Sequence, residues 1–142
     1  MSPEAERRGI LAQGPIPPFV HGVVEYLAAA LFIVAPFLFD FDATSATAAS
    51  IVIGLVLLAF TAMSMLPTAL VKVVSVGVHV TADVVLAVLL VALPFLLGFR
   101  DESAPTALFI TVGVVHLLVT IATRFPLRSA PSGRDRGDRA RT

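Results

Sequence analysis

Residues 21–41, HGVVEYLAAALFIVAPFLFDF, form an apolar run long enough to cross a ~30 Å hydrocarbon layer as a helix, yet the run carries His21 and Glu25 near one end and Pro36 near the other. Residues 79–99, HVTADVVLAVLLVALPFLLGF, place His79, Asp83 and Pro94 at the same three offsets. Two runs interrupted alike define a repeat, and the repeat decides the fold. Further apolar segments follow each of them. The four spans expected from the pattern are Phe19 to Phe39, Thr47 to Leu66, Val76 to Leu97 and Pro105 to Thr123. None alternates in polarity, and an open sheet edge in lipid would leave backbone groups unpaired, so the spans are helices and not strands.

The composition agrees. Of 142 residues, 57% are hydrophobic and 14% charged, and the mean hydropathy is +0.93, outside the range of soluble globular domains. The absence of cysteine excludes disulfides, thiolate nucleophiles and thiolate metal sites. Formal net charge is zero, but its distribution is uneven. Arg7 and Arg8 precede the first span, Lys72 lies between the second and third, and six arginines follow from Arg124 onward. Only Arg100 falls in a loop on the other side, beside Asp101 and Glu102, while the first such loop carries Asp40 and Asp42. The positive-inside rule then places both termini in the cytoplasm. A cleaved signal peptide would explain Arg7, Arg8 and the "ATA" at 46–48. Against it, the first run is too long for a signal core, contains Glu25 and Pro36, and is matched position by position by the third span.

Between residues 21–41 and 79–99 the repeat shift is 58. It pairs His21 with His79, Glu25 with Asp83, Ala29 with Ala87, Pro36 with Pro94 and Phe41 with Phe99. From the second span onward it is 59, pairing Ile51 with Ile110, Gly54 with Gly113, Thr61 with Thr120 and Pro67 with Pro126. One residue has therefore been inserted in the outer loop of the second copy. Each copy is a helical hairpin that returns the chain to its starting side, so the copies share one orientation and are related by a pseudo-twofold axis along the membrane normal. The expected fold is an all-α, four-transmembrane-helix bundle of two parallel-oriented hairpins. Its divisions are an N-terminal segment 1–17, repeats 18–67 and 68–126, and a basic tail 127–142. The unit of an apolar helix ending in a Pro-aromatic step, a short polar loop and a second helix with a central Gly resembles the SPW repeat of bacterial integral membrane proteins. In place of Ser-Pro-Trp stand Ala35-Pro36-Phe37 and Leu93-Pro94-Phe95. The resemblance covers residues 21 to about 126 and implies a compact helical domain of the bacterial cytoplasmic membrane. It brings no catalytic residue with it.

Each interruption has a physical reading. Pro36 cannot donate to the carbonyl of Phe32, nor Pro94 to that of Leu90, so those carbonyls need another partner or the helices must kink or end there. Gly54 and Gly113 sit mid-span, where a missing side chain lets helices approach closely. His21 and Glu25 share one helical face a turn apart, as do His79 and Asp83. Thr61, Ser64, Thr120 and Thr123 fall at the same membrane depth, so all four helices contribute to one polar layer. His116, opposite Leu57 in the repeat, is the asymmetric ionisable group of the fourth span. In the simplest reading each carboxylate pairs with its own histidine and the hydroxyls, and the layer sets helix register. A proton or ion pathway is the functional alternative, since ionisable residues inside a span are costly. Metal binding requires that the two faces converge on the pseudo-twofold axis.

No nucleophile-base set, phosphate loop or cofactor fingerprint occurs, so the sequence points away from an enzyme and assigns no catalytic residue, cofactor or metal. The tail, rich in Gly, Pro, Ser and mixed charge, reads as disordered and as a topology determinant, not a nucleic-acid-binding segment. The leading functional expectation is a small noncatalytic membrane protein acting in assembly or as a partner subunit. Its partners are the lipid bilayer and, within it, another protein or a second copy of the chain. The alternative is a transport or ion-handling protein that uses the polar layer.

Overall fold

A computed structural model describes residues 14–125; the N-terminal arginines and the basic tail lie outside them. Among the described residues four helices follow in order: α1 Pro18–Leu38, α2 Thr44–Met63, α3 Val76–Leu96 and α4 Ser103–Ala122. All four are long and apolar enough to cross a membrane. α1 packs along α2 and α3 along α4, while α1 and α4 join the hairpins. The fold is the expected all-α bundle of two hairpins.

Its polarity pattern is that of a protein built for lipid. The buried stripe of α1 runs through His21, Glu25, Ala29 and Phe32, and that of α3 through His79, Asp83, Ala87 and Leu90. Both follow the helical period. Outward positions such as Leu27, Val34, Val85, Val88 and Leu118 are exposed. Large apolar side chains outside and ionisable ones inside invert the soluble arrangement, which is the stable solution when the surrounding solvent is hydrocarbon.

α2 and α4 start and stop slightly earlier than hydropathy suggests, at Thr44 and Met63 and at Ser103 and Ala122. Hydropathy marks apolar residues, whereas the ends are set by hydrogen bonds. At the distal end, where the hairpins turn, Glu102 accepts from the backbone N–H groups of Asp42 at 2.6 Å and Ala43 at 3.0 Å. Glu102, at the N-cap of α4, thus supplies an anionic partner for the N–H groups leading into α2, which has no side-chain cap of its own. At the proximal end, where α1 and α3 begin, the chain leaves α2 in extended form. Met65 N–H donates to Val74 O at 2.8 Å, and Arg124 N–H donates to Ile16 O at 3.0 Å. These bonds match at the repeat shifts, so the repeat extends beyond the expected start at residue 21, and each hairpin's exit is tied to the other's entry.

The prolines close the helices, as their chemistry requires. Pro36 and Pro94 lie in the last turns of α1 and α3. After them Phe41 N–H donates to Pro36 O and Phe99 N–H to Pro94 O, with Asp40 at φ 46° and Gly98 at φ 74° providing the left-handed step. The carbonyl that Pro36 leaves free is taken by α2: Ser50 Oγ donates to Phe32 O at 2.6 Å. In the second repeat the corresponding position is Phe109, which packs edge-to-face on Phe32 and Phe99 at 5.1 and 5.2 Å. Ile53, Leu90 and Phe109 join Phe32 in a dry core that fills the distal half.

Candidate functional site

The proximal half has a polar centre. His21 and Glu25 project from α1, His79 and Asp83 from α3, and all four are at most 2% exposed. Their donor atoms form a ring in which nitrogen and oxygen alternate. His21 Nε2 lies 3.3 Å from Glu25 Oε1 and 3.3 Å from Asp83 Oδ2; His79 Nε2 lies 3.2 Å from Glu25 Oε1 and 3.3 Å from Asp83 Oδ2. Each carboxylate therefore faces the histidine of its own helix and that of the other repeat equally. The two helical faces converge, and the four donor atoms lie within 4.8 Å of one another.

Though these separations are short, none of the four contacts has hydrogen-bond geometry. Among the described residues, both Nε2 atoms, Glu25 Oε1 and Asp83 Oδ2 are buried without a hydrogen-bond partner. Four unpartnered polar atoms turned toward one point cost several kcal/mol in a low-dielectric interior unless something compensates them.

The hydroxyls orient the rings. Ser64 Oγ donates its one proton to Phe60 O at 2.6 Å and lies 2.6 Å from His79 Nδ1. Thr123 Oγ1 donates to Val119 O at 2.6 Å and lies 3.0 Å from His21 Nδ1. With the hydroxyl proton committed to a carbonyl, each Nδ1 must be the donor. Nδ1–H is thereby fixed in both rings, and Nε2 is the nitrogen left to face the centre. Both bonds cross between repeats, because Ser64 follows α2 while Thr123 follows α4.

Thr61 Oγ1 lies 3.2 Å from Glu25 Oε2 and 2.8 Å from Leu57 O, so its one proton can serve only one of these two acceptors at a time. For Asp83 the place of Thr61 is taken by His116, whose Nε2 is 3.7 Å from Asp83 Oδ1, too long for a hydrogen bond. Thr120, the repeat partner of Thr61, instead donates to His116 O at 2.9 Å. Pro36, Pro94, Gly54 and Gly113 lie outside the polar centre and shape the bundle around it.

Apolar side chains close the centre, and hydropathy alone did not mark them. Phe60 stacks on His79 at 5.5 Å with ring planes 9° apart, and Phe125 meets His21 edge-on at 5.1 Å. Leu66 is also buried. Leu66 and Phe125 are 59 residues apart, so the repeat register was a signal for them. Toward the distal side the next turns supply Ala29 and Ala87, then Phe32 and Leu90, all buried. A groove of about 250 Å³ between α2 and α3, otherwise apolar, reaches Asp83.

Four apolar helices around a buried polar centre define a multi-pass integral membrane protein. The family model of the SPW repeat domain matches residues 19–123, and the chain belongs to that family. Neither the curated proteins nor the solved structures compared with the chain yielded a match.

Proposed function

We propose that this protein is a noncatalytic cation-binding protein of the bacterial cytoplasmic membrane, with its proximal end and both termini on the cytoplasmic side. One observation carries the reading: two imidazole nitrogens and two carboxylate oxygens converge, buried and without hydrogen-bond partners among the described residues. Two carboxylates there require compensating positive charge, either on the imidazoles as protons or between the four atoms as an ion. Ion handling is thus favoured over a role in assembly alone, because the polar residues turn inward together instead of presenting a face to a partner. The apolar plug of Phe32, Leu90 and Phe109 favours cation exchange with one side over conduction through the bundle.

Thermal unfolding of the full chain in detergent, followed across pH and with or without divalent metal, tests this reading. Wild-type stability should respond to at least one of the two cations, and the Glu25→Gln/Asp83→Asn double variant should lose the response. Wild-type curves that ignore both cations would reduce the centre to a device for helix register.

A further inference from the structure

We infer that the ring is a closed four-coordinate site for a divalent transition metal of the zinc class, with His21 Nε2, His79 Nε2, Glu25 Oε1 and Asp83 Oδ2 as its ligands. The inference deepens the cation-binding reading and rests on it. Protons and a metal ion would both balance the two carboxylates, and the geometry separates them.

A proton on Nε2 makes its strongest hydrogen bond along a nearly linear path to one oxygen. Here each Nε2 stands between two oxygens at 3.2–3.3 Å and has hydrogen-bond geometry to neither. A lone pair directed between the oxygens, where a metal would bind, fits that arrangement. Zinc–nitrogen and zinc–oxygen bonds of about 2.0–2.2 Å at tetrahedral angles give ligand–ligand edges of about 3.3–3.5 Å. The four nitrogen–oxygen pairs, four of the six edges of such a cage, measure 3.2–3.3 Å, and all four atoms lie within 4.8 Å of one another, so these four edges already have close to the length the ion needs.

The surrounding bonds also suit a metal. Metal-bound histidines characteristically donate the other ring N–H to an oxygen, which fixes the tautomer and aims the ligand nitrogen. His21 does so to Thr123 Oγ1 and His79 to Ser64 Oγ. Two imidazoles among four ligands select against calcium and magnesium, which take oxygen, and toward zinc and its neighbours. Two carboxylates and two neutral imidazoles carry a charge that a dication cancels, leaving no net charge in the membrane interior. Because protein atoms occupy all four corners, no position is left open for substrate, as in structural and not catalytic zinc sites.

The test uses the full-length wild type in detergent, stripped with a chelator and then titrated with Zn²⁺ by calorimetry and with Co²⁺ as an optical probe. One ion per chain is expected, with the intense visible absorption of four-coordinate Co²⁺. Glu25→Gln/Asp83→Asn should abolish binding while helicity is retained. Ser64→Ala and Thr123→Ala should each weaken affinity about 10–100-fold at unchanged stoichiometry, and these two carry the test if the double variant does not fold. No saturable binding by folded wild type, the weak spectrum of six-coordinate Co²⁺, or binding indifferent to these substitutions would overturn the inference. A wild type whose stability follows pH but which binds neither ion would refute the metal while leaving protons as the cation. Indifference to both would refute the cation-binding reading as well.

Discussion

Replacing His21 with leucine is expected to cost the bundle about 3–5 kcal/mol, the loss typical when one member of a buried ion set is removed and the rest left uncompensated. Glu25 and Asp83 would then share one imidazole in a buried centre. The informative quantity is the coupling. His21 is equally distant from the carboxylate of its own helix and from that of the other repeat, 3.3 Å in each case. Double-mutant cycles of His21→Leu with Glu25→Gln and with Asp83→Asn should therefore give similar interaction energies, each within about 0.5–3 kcal/mol. Reversible unfolding in mixed micelles measures both. Coupling confined to Glu25 would mean that each helix satisfies its own pair, the arrangement that spacing along one helix suggests.

That difference shows what the sequence could and could not convey. The separation of His21 and Glu25 by four residues fixes their common face, because helical geometry is local. It says nothing of the rotation of one hairpin about another, which the proximal crossover and the packing of Phe32 on Phe109 decide. Hence the polar layer was legible as a set of residues and at a depth, while the pairing within it was not. The bond from Ser50 to the carbonyl freed by Pro36 illustrates the same division. A need for a donor could be read at Phe32, but which helix would supply it depended on the crossing of α1 and α2. Helix ends escaped hydropathy for a related reason: Glu102, Ser64 and Thr123 set them through hydrogen bonds, and hydropathy averages such polar residues away. The repeat itself was the most transferable signal. Extended to Ile16 and Val74, it pairs the bridges at Thr123 and Ser64.

The second large effect is expected at the helix crossing. A Cβ at Gly54 would stand 2.7 Å from Ile33 Cγ1 and 2.8 Å from Ala29 O, whereas at Gly113 the nearest atoms, Ala87 O and Leu90 Cβ, are at 3.0 Å. Ile33 can rotate, but the carbonyl of Ala29 moves only if α1 moves. Gly54→Leu should therefore destabilise by about 3 kcal/mol, the upper end for overpacking, and Gly113→Leu by somewhat less. Gly77, exposed in the first turn of α3, provides the control, since a Cβ there meets nothing within 4 Å. Gly77→Ala should stabilise by about 0.5–1 kcal/mol through helix propensity alone. Equal unfolding midpoints for Gly54→Leu, Gly113→Leu and wild type would remove both glycines from the crossing. Because α1 carries Ala29 one turn beyond Glu25, a shift at Gly54 should also loosen the cation centre.

The most direct test of that centre is the protonation of its imidazoles. Nitrogen-15 NMR of histidine-labelled protein in detergent, with His116→Gln reducing the histidines to His21 and His79, reads Nδ1 and Nε2 separately. With Zn²⁺ present at neutral pH, both Nδ1 atoms should carry a proton and both Nε2 atoms should show metal-bound shifts. Neutral rings protonated at Nε2 would place two N–H donors inside the ring and contradict a cation site there.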